Sequence, residues 1–160
     1  MKMKVLFQLF TAIVIAFSLS ACKCSTSAKK GDVASSTENV QDNAITEKYW
    51  KLIELNGNAV DIQSLNREPH IILKKEDNRL NGTGGCNAFN GSYELENTTL
   101  RIKFSQVVTT MMACMNMEVE SQMYKALESV DNYTISADGK YLSLNKGRMA
   151  PLARFELVHK

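Results

Sequence analysis

Leu100-Arg101-Ile102-Lys103-Phe104 alternates apolar and cationic side chains without a break. In an extended chain, whose side chains repeat every second residue, this order puts Leu100, Ile102 and Phe104 on one face and Arg101 and Lys103 on the other. That is the pattern of a half-buried antiparallel strand. The alternation returns downstream in Tyr133 with Ile135, in Leu142 with Leu144, and in Ala153 with Phe155 and Leu157. Asn56-Gly57, Asp77-Asn78, Asp138-Gly139 and Lys146-Gly147 separate the runs. These residue types tolerate positive φ or bond their own backbone, as tight turns require. Pro151, which cannot donate to a ladder, marks an edge or the start of a strand.

One segment breaks the rhythm. Val119, Met123, Ala126, Leu127 and Val130 fall at helical spacing, and Glu118, Glu120, Gln122, Lys125 and Glu128 are expected on the solvated side. Asn116 is placed to cap the start, and two early acids suit the positive end of the helix dipole. The expected fold is therefore α+β: mainly antiparallel strands in a strongly curved sheet or partly open barrel, with one amphipathic helix over residues 117–130.

The other end of the chain has a different character. Lys2 and Lys4 precede an apolar run from Val5 to Phe17, which ends in Leu19-Ser20-Ala21-Cys22. A cationic start, a short apolar core and small residues at a cut describe a removed export signal. The run is shorter than the roughly 20 residues a transmembrane helix needs. The last four residues resemble the lipobox of bacterial lipoproteins. The resemblance implies a signal peptide over 1–21, cleavage before Cys22, and acylation of its sulfur. Cys24 cannot substitute, because Lys23 stands where the lipobox has a small residue. Lys23, rather than an aspartate, after the acylated cysteine resembles lipoproteins sent onward to the outer membrane, on a face the sequence leaves open.

Residues 23–46 are rich in Ser, Thr and Lys and poor in large apolar side chains. Such a segment buries too little surface to offset its conformational entropy, so 22–46 reads as a lipidated tether and 47–160 as the folded domain. The full chain carries 19 basic and 17 acidic residues. Loss of Lys2 and Lys4 with the signal leaves the two signs in balance, and Lys74-Lys75 is the longest basic run in the folded part. A nucleic-acid partner needs a concentrated basic face, so none is expected.

Gly82-Thr83-Gly84-Gly85-Cys86-Asn87-Ala88-Phe89-Asn90-Gly91-Ser92-Tyr93 and Thr109-Thr110-Met111-Met112-Ala113-Cys114 resemble the two signatures of the META domain family, which includes an HslJ-like bacterial lipoprotein. Trp50, Leu52 and Gly57, then Tyr124 and Leu127, then the Tyr133 and Leu142 strands follow in the order of its pattern. The resemblance covers nearly all of 49–158. It implies a small β-rich envelope or secreted domain linked loosely to stress tolerance, and it supplies no catalytic residues.

Cys86 and Cys114 are expected to pair, since an oxidising compartment favours a disulfide once Cys22 is acylated. The alternative is two buried free thiols, which also pack well. Met111, Met112, Met115 and Met117 surround Cys114. They are expected to fill the core beside the disulfide, and the competing reading is a soft Cu(I) site. Gly82, Gly84 and Gly85 lack the spacing and following helix of a nucleotide loop, and are read as a bulge or sharp bend. No cofactor or metal is expected.

Catalysis finds no signature. His70 sits on a strand with no nucleophile motif, His159 lies next to the last residue, and Glu94 and Glu96 read as the solvated side of a strand rather than an acid–base pair. The expected function is a non-enzymatic lipoprotein, held to the membrane by its lipid, that binds an envelope ligand or protein or supports the envelope under stress. The alternative is a surface-tethered protease inhibitor, with Asp61–Pro69 and Asn145–Arg148 as contact segments.

Overall fold

The structure, a computed structural model, describes residues 44–148 and 150–159. The signal peptide, Cys22, Cys24 and most of the tether lie outside the described residues. Nine strands form one antiparallel sheet: β1 (Tyr49–Leu55), β2 (Asn58–Ala59), β3 (His70–Lys74), β4 (Arg79–Thr83), β5 (Ala88–Glu96), β6 (Arg101–Thr109), β7 (Asn132–Ile135), β8 (Tyr141–Asn145) and β9 (Ala153–Val158). The short β2 folds back on β1, and the other eight run as an up-and-down meander. The sheet closes on itself, because β1 also pairs with β9 from Tyr49–Val158 to Leu55–Ala153. Closure pairs the β1 and β9 edges, which would otherwise template association.

The ring is weakest between β6 and β7, which share the single pairing Arg101–Asn132. The helix α1 (Glu118–Ser129) is inserted at this point and packs against both β6 and β1. These strands lie on opposite sides of the ring, and the helix runs from the β4–β5 turn, which Glu120 contacts, toward the start of β6, where the Asp131 carbonyl accepts from the Ile102 N–H at 3.3 Å. Met123, Ala126 and Leu127 enter the core with Trp50, Leu52, Leu80, Phe89, Leu142 and Phe155. Asn116 does not cap α1 in the usual position; Met117 precedes the helix, and the Asn116 side chain accepts from the Glu118 N–H at 3.3 Å.

Two expectations are corrected. Leu100 does not share the buried face of Ile102 and Phe104: it has φ of +54° and is exposed. It closes the turn between β5 and β6, so β6 starts one residue later than the alternation indicates. The folded unit also begins before residue 47. Ile45 is fully buried, and its carbonyl accepts from the Trp50 indole at 2.8 Å.

Candidate functional site

The β4–β5 turn is built around a buried acid. Glu120, in the first turn of α1, is 3% exposed rather than on the solvated side of the helix. Its Oε2 accepts from the Asn87 N–H at 2.6 Å and the Cys86 N–H at 3.2 Å, and its Oε1 accepts from Asn87 Nδ2 at 2.8 Å. Three donors, two of them backbone groups that a tight turn leaves unpaired, replace the water this carboxylate loses on burial. The sequence carried the signal: Glu120 stands three residues before Met123 and seven before Leu127, on the apolar stripe itself.

Glycine at 84 makes the approach possible, because a Cβ there would lie 2.7 Å from Glu120 Cγ and 2.9 Å from its Cα. At 82, a Cβ would run into the His70 carbonyl oxygen and lie 2.6 Å from the Phe89 ring. The glycine-rich segment is thus a site of close backbone packing, as its sequence indicates.

Asn87 passes the constraint on to the next loop. Its second Nδ2 hydrogen goes to the Met112 carbonyl at 3.0 Å, while its Oδ1 accepts from the Met112 N–H at 2.7 Å and the Thr110 hydroxyl at 2.8 Å. One side chain therefore binds Met112 as a paired strand would, with every polar valence used. A disulfide joins Cys86 to Cys114 over a Cα separation of 6.2 Å. Turn, helix start and the Thr110–Met117 loop are one interlocked unit.

The methionines of that loop do not fill the core. Met111 is 97% exposed, Met115 fully exposed, and Met112 and Met117 are 48% and 36% exposed. The interior beside the disulfide is already occupied by Asn87 and Glu120, and the loop backbone, held from below, sends its side chains outward.

A family model for the META domain matches residues 43–159. This chain belongs to the META domain family. The interlocked unit lies wholly within the matched residues. No curated protein matches the chain. A structure solved by NMR from Burkholderia xenovorans is 17% identical, with a TM-score of 0.57, over 89% of this chain and 100% of that one. A second NMR structure is 20% identical, with a TM-score of 0.55, over 71% of this chain and 91% of that one. These likenesses bear on the fold alone.

The META domain places its other polar candidates apart from the loop unit. His70 stacks on Tyr49 with ring centroids 4.3 Å apart, and its Nδ1 lies 3.0 Å from the Glu68 carbonyl oxygen. The Tyr49 hydroxyl donates to Glu68 at 2.9 Å, and both burial and that carboxylate raise its pKa. Around them an open cleft of about 530 Å³ takes in Arg67, Asn81 and Asn90. Glu94 pairs across the sheet with Lys103, and Glu96 with Arg101, so both acids are on the solvated face. Of the two proposed contact segments, Asp61–Pro69 abuts the loop unit: the Arg67 N–H donates to the Gly85 carbonyl at 2.9 Å, and Asn116 Nδ2 donates to Ser64 Oγ at 3.3 Å. The other, Asn145–Arg148, is pinned instead by Asp131, which accepts from the Gly147 N–H at 2.9 Å. That bond and one from Asn132 hold the Asp131 carboxyl below its usual range.

Two predictions arise from these contacts. Reducing the Cys86–Cys114 bond, which closes a loop of sequence separation 28, should lower stability by about 3–4 kcal/mol on the loop-entropy model. Urea titrations with and without reductant would measure it, and coincident curves would refute it. Tyr124 contributes differently. Among the described residues its buried hydroxyl makes no hydrogen bond of good geometry, although the Thr109 and Glu120 side chains are near enough to act on its titration. Burial first, and the Glu120 charge second, push its pKa up to about 12. A raised value means the contribution of the neutral phenol is intact below the unfolded pKa of about 10 and is lost as pH climbs through about 12. Tyr124→Phe should leave stability at pH 7 unchanged or raise it by up to about 1 kcal/mol, and should remove that alkaline loss. Destabilisation at pH 7 would mean the hydroxyl is satisfied.

Proposed function

We propose that this META domain is a non-enzymatic binding module of the bacterial envelope, anchored through an acylated Cys22 at the outer membrane, that presents the Thr110–Met117 loop to a partner. The observation that carries the reading is the pairing of extreme exposure with a fixed backbone. Met111 and Met115 stand in solvent while Asn87, Glu120 and the disulfide hold the chain beneath them. A loop ordered in advance loses little freedom on binding, and methionine adapts its shape to apolar partners.

Orientation supports the same reading. Alternate turns of a meander lie at opposite ends of the barrel. Residue 47 enters at the β3–β4 end, where the Glu47 carboxylate accepts from Lys74 Nζ at 2.9 Å and the Lys75 N–H at 2.8 Å. The β4–β5 turn and the methionine loop are at the other end of the barrel, so the loop is clear of the point at which the chain enters the folded unit. A role in stress tolerance fits such a module.

The test is a photoreactive side chain at position 111 or 115 of the full chain in native envelopes. A discrete crosslinked partner is expected from these positions and not from Ser143 on β8. Equal labelling from all three would end the proposal. A second reading, a protease inhibitor, is favoured by the same rigid, disulfide-stapled loop, with Asp61–Arg67 beside it. Stoichiometric inhibition of a protease in a panel, lost on reducing the disulfide, would select it over the first.

A further inference from the structure

The loop carries four thioethers in seven residues, Met111, Met112, Met115 and Met117, and all four face outward. Met123, six residues on, shows what the fold does with a methionine it uses for packing: it is fully buried. From Val107 to Met117 there is no charged side chain, and Glu118 is the first. Thioethers are neutral, soft donors. They are poor ligands for Zn²⁺ or Mg²⁺, but they suit Cu(I), which prefers sulfur. Among the described residues, no group of three or more His, Cys, Asp or Glu side chains is placed to hold a metal. The nearest thiols are locked in the disulfide and cannot act as thiolates.

We propose that Met111, Met112, Met115 and Met117 form a thioether site for Cu(I) on the rim of the barrel. The backbone is fixed at Met112 by Asn87, at Cys114 by the disulfide, and at Asn116 by its bond to the Glu118 N–H. Residues 111–117 span at most about 20 Å even when extended. Each sulfur sits on a flexible arm with three rotatable bonds. The proposed site forms by side-chain rotation that brings the donors round one ion, with the chain beneath them in place. The exposed Glu118 carboxylate, next to Met117, offsets the single positive charge. The proposal does not depend on a protein partner, and crosslinking that persists with a copper chelator present would separate the two readings.

The experiment uses the full-length protein with Cys22→Ser and Cys24→Ser, which leaves no free thiol, titrated anaerobically with Cu(I) against a chromophoric chelator. One Cu(I) per chain should be withdrawn from the chelator. Replacing the four methionines with leucine, which keeps the apolar volume, should weaken retention by roughly 100-fold or more, and the near-UV spectrum would report folding. Should the leucine protein fail to fold, Ag(I) added to the parent with labelled methionine methyls decides. Shifts confined to residues 111, 112, 115 and 117, with Met123 unmoved, support the site. No uptake, uptake unchanged in the leucine protein, or shifts spread over all methionines would overturn it.

Discussion

Trp50→Ala is expected to leave the domain largely unfolded near 37 °C. Trp50 is the chain's only tryptophan and is fully buried on β1, in the same core as Met123 and Leu127 of α1. Truncating a buried aromatic typically costs about 3–5 kcal/mol. Here the indole N–H also satisfies the Ile45 carbonyl at 2.8 Å, and leaving that acceptor unpaired adds about 1 kcal/mol or more. The total is comparable with the roughly 5–15 kcal/mol that holds a domain together. Lys51, on the opposite face, makes a partly exposed ion pair with Glu68 at 3.3 Å, and Lys51→Ala should cost less than about 1 kcal/mol. Urea titration followed by circular dichroism compares the two. Equal midpoints would show that the first strand does not anchor the core.

Glu120→Ala should destabilise by about 3–5 kcal/mol, because it strands two backbone N–H groups and one amide hydrogen in the interior. The effect should reach the methionine loop. Asn87 is oriented by Glu120 and in turn binds Met112 through both backbone groups, so hydrogen exchange at the Met112 amide should accelerate more than at strand amides. Glu120→Gln keeps the volume and one acceptor oxygen, and should cost less than the alanine change. A Glu120→Ala protein as stable as the parent, with Met112 still protected, would show that the carboxylate is dispensable and that the disulfide alone sets the loop.

The same residues show where sequence reasoning holds. Short-range rules were enough for the strands. Ile102 and Phe104, Leu142 and Leu144, and Ala153 and Phe155 are buried as their alternation indicates, because in a strand the side-chain direction is a property of the backbone. The helix register is legible for the same reason, but the burial of its acid at 120 is not what charge alone indicates. Its charge indicates solvent, whereas its spacing from Met123 and Leu127 puts it on the apolar face. Leu100 failed at a boundary, where a turn conformation overrides alternation.

The sequence by itself determined the strand and helix content, the strongly curved antiparallel sheet and the META signatures, since local periodicity and turn chemistry encode them. It also offered the pairing of Cys86 with Cys114, which the structure shows as a disulfide. Only the tertiary structure decided what the signatures build. Closure of β1 on β9 and the seating of α1 across the ring bring Glu120 against a turn more than 30 residues earlier in the chain. That contact is long-range, and its cause is the need of turn N–H groups for an acceptor once the helix excludes water from them. The outward direction of Met111 and Met115 has the same origin. The space beneath the loop is filled by Asn87 and Glu120, which leaves the methionines no interior to occupy.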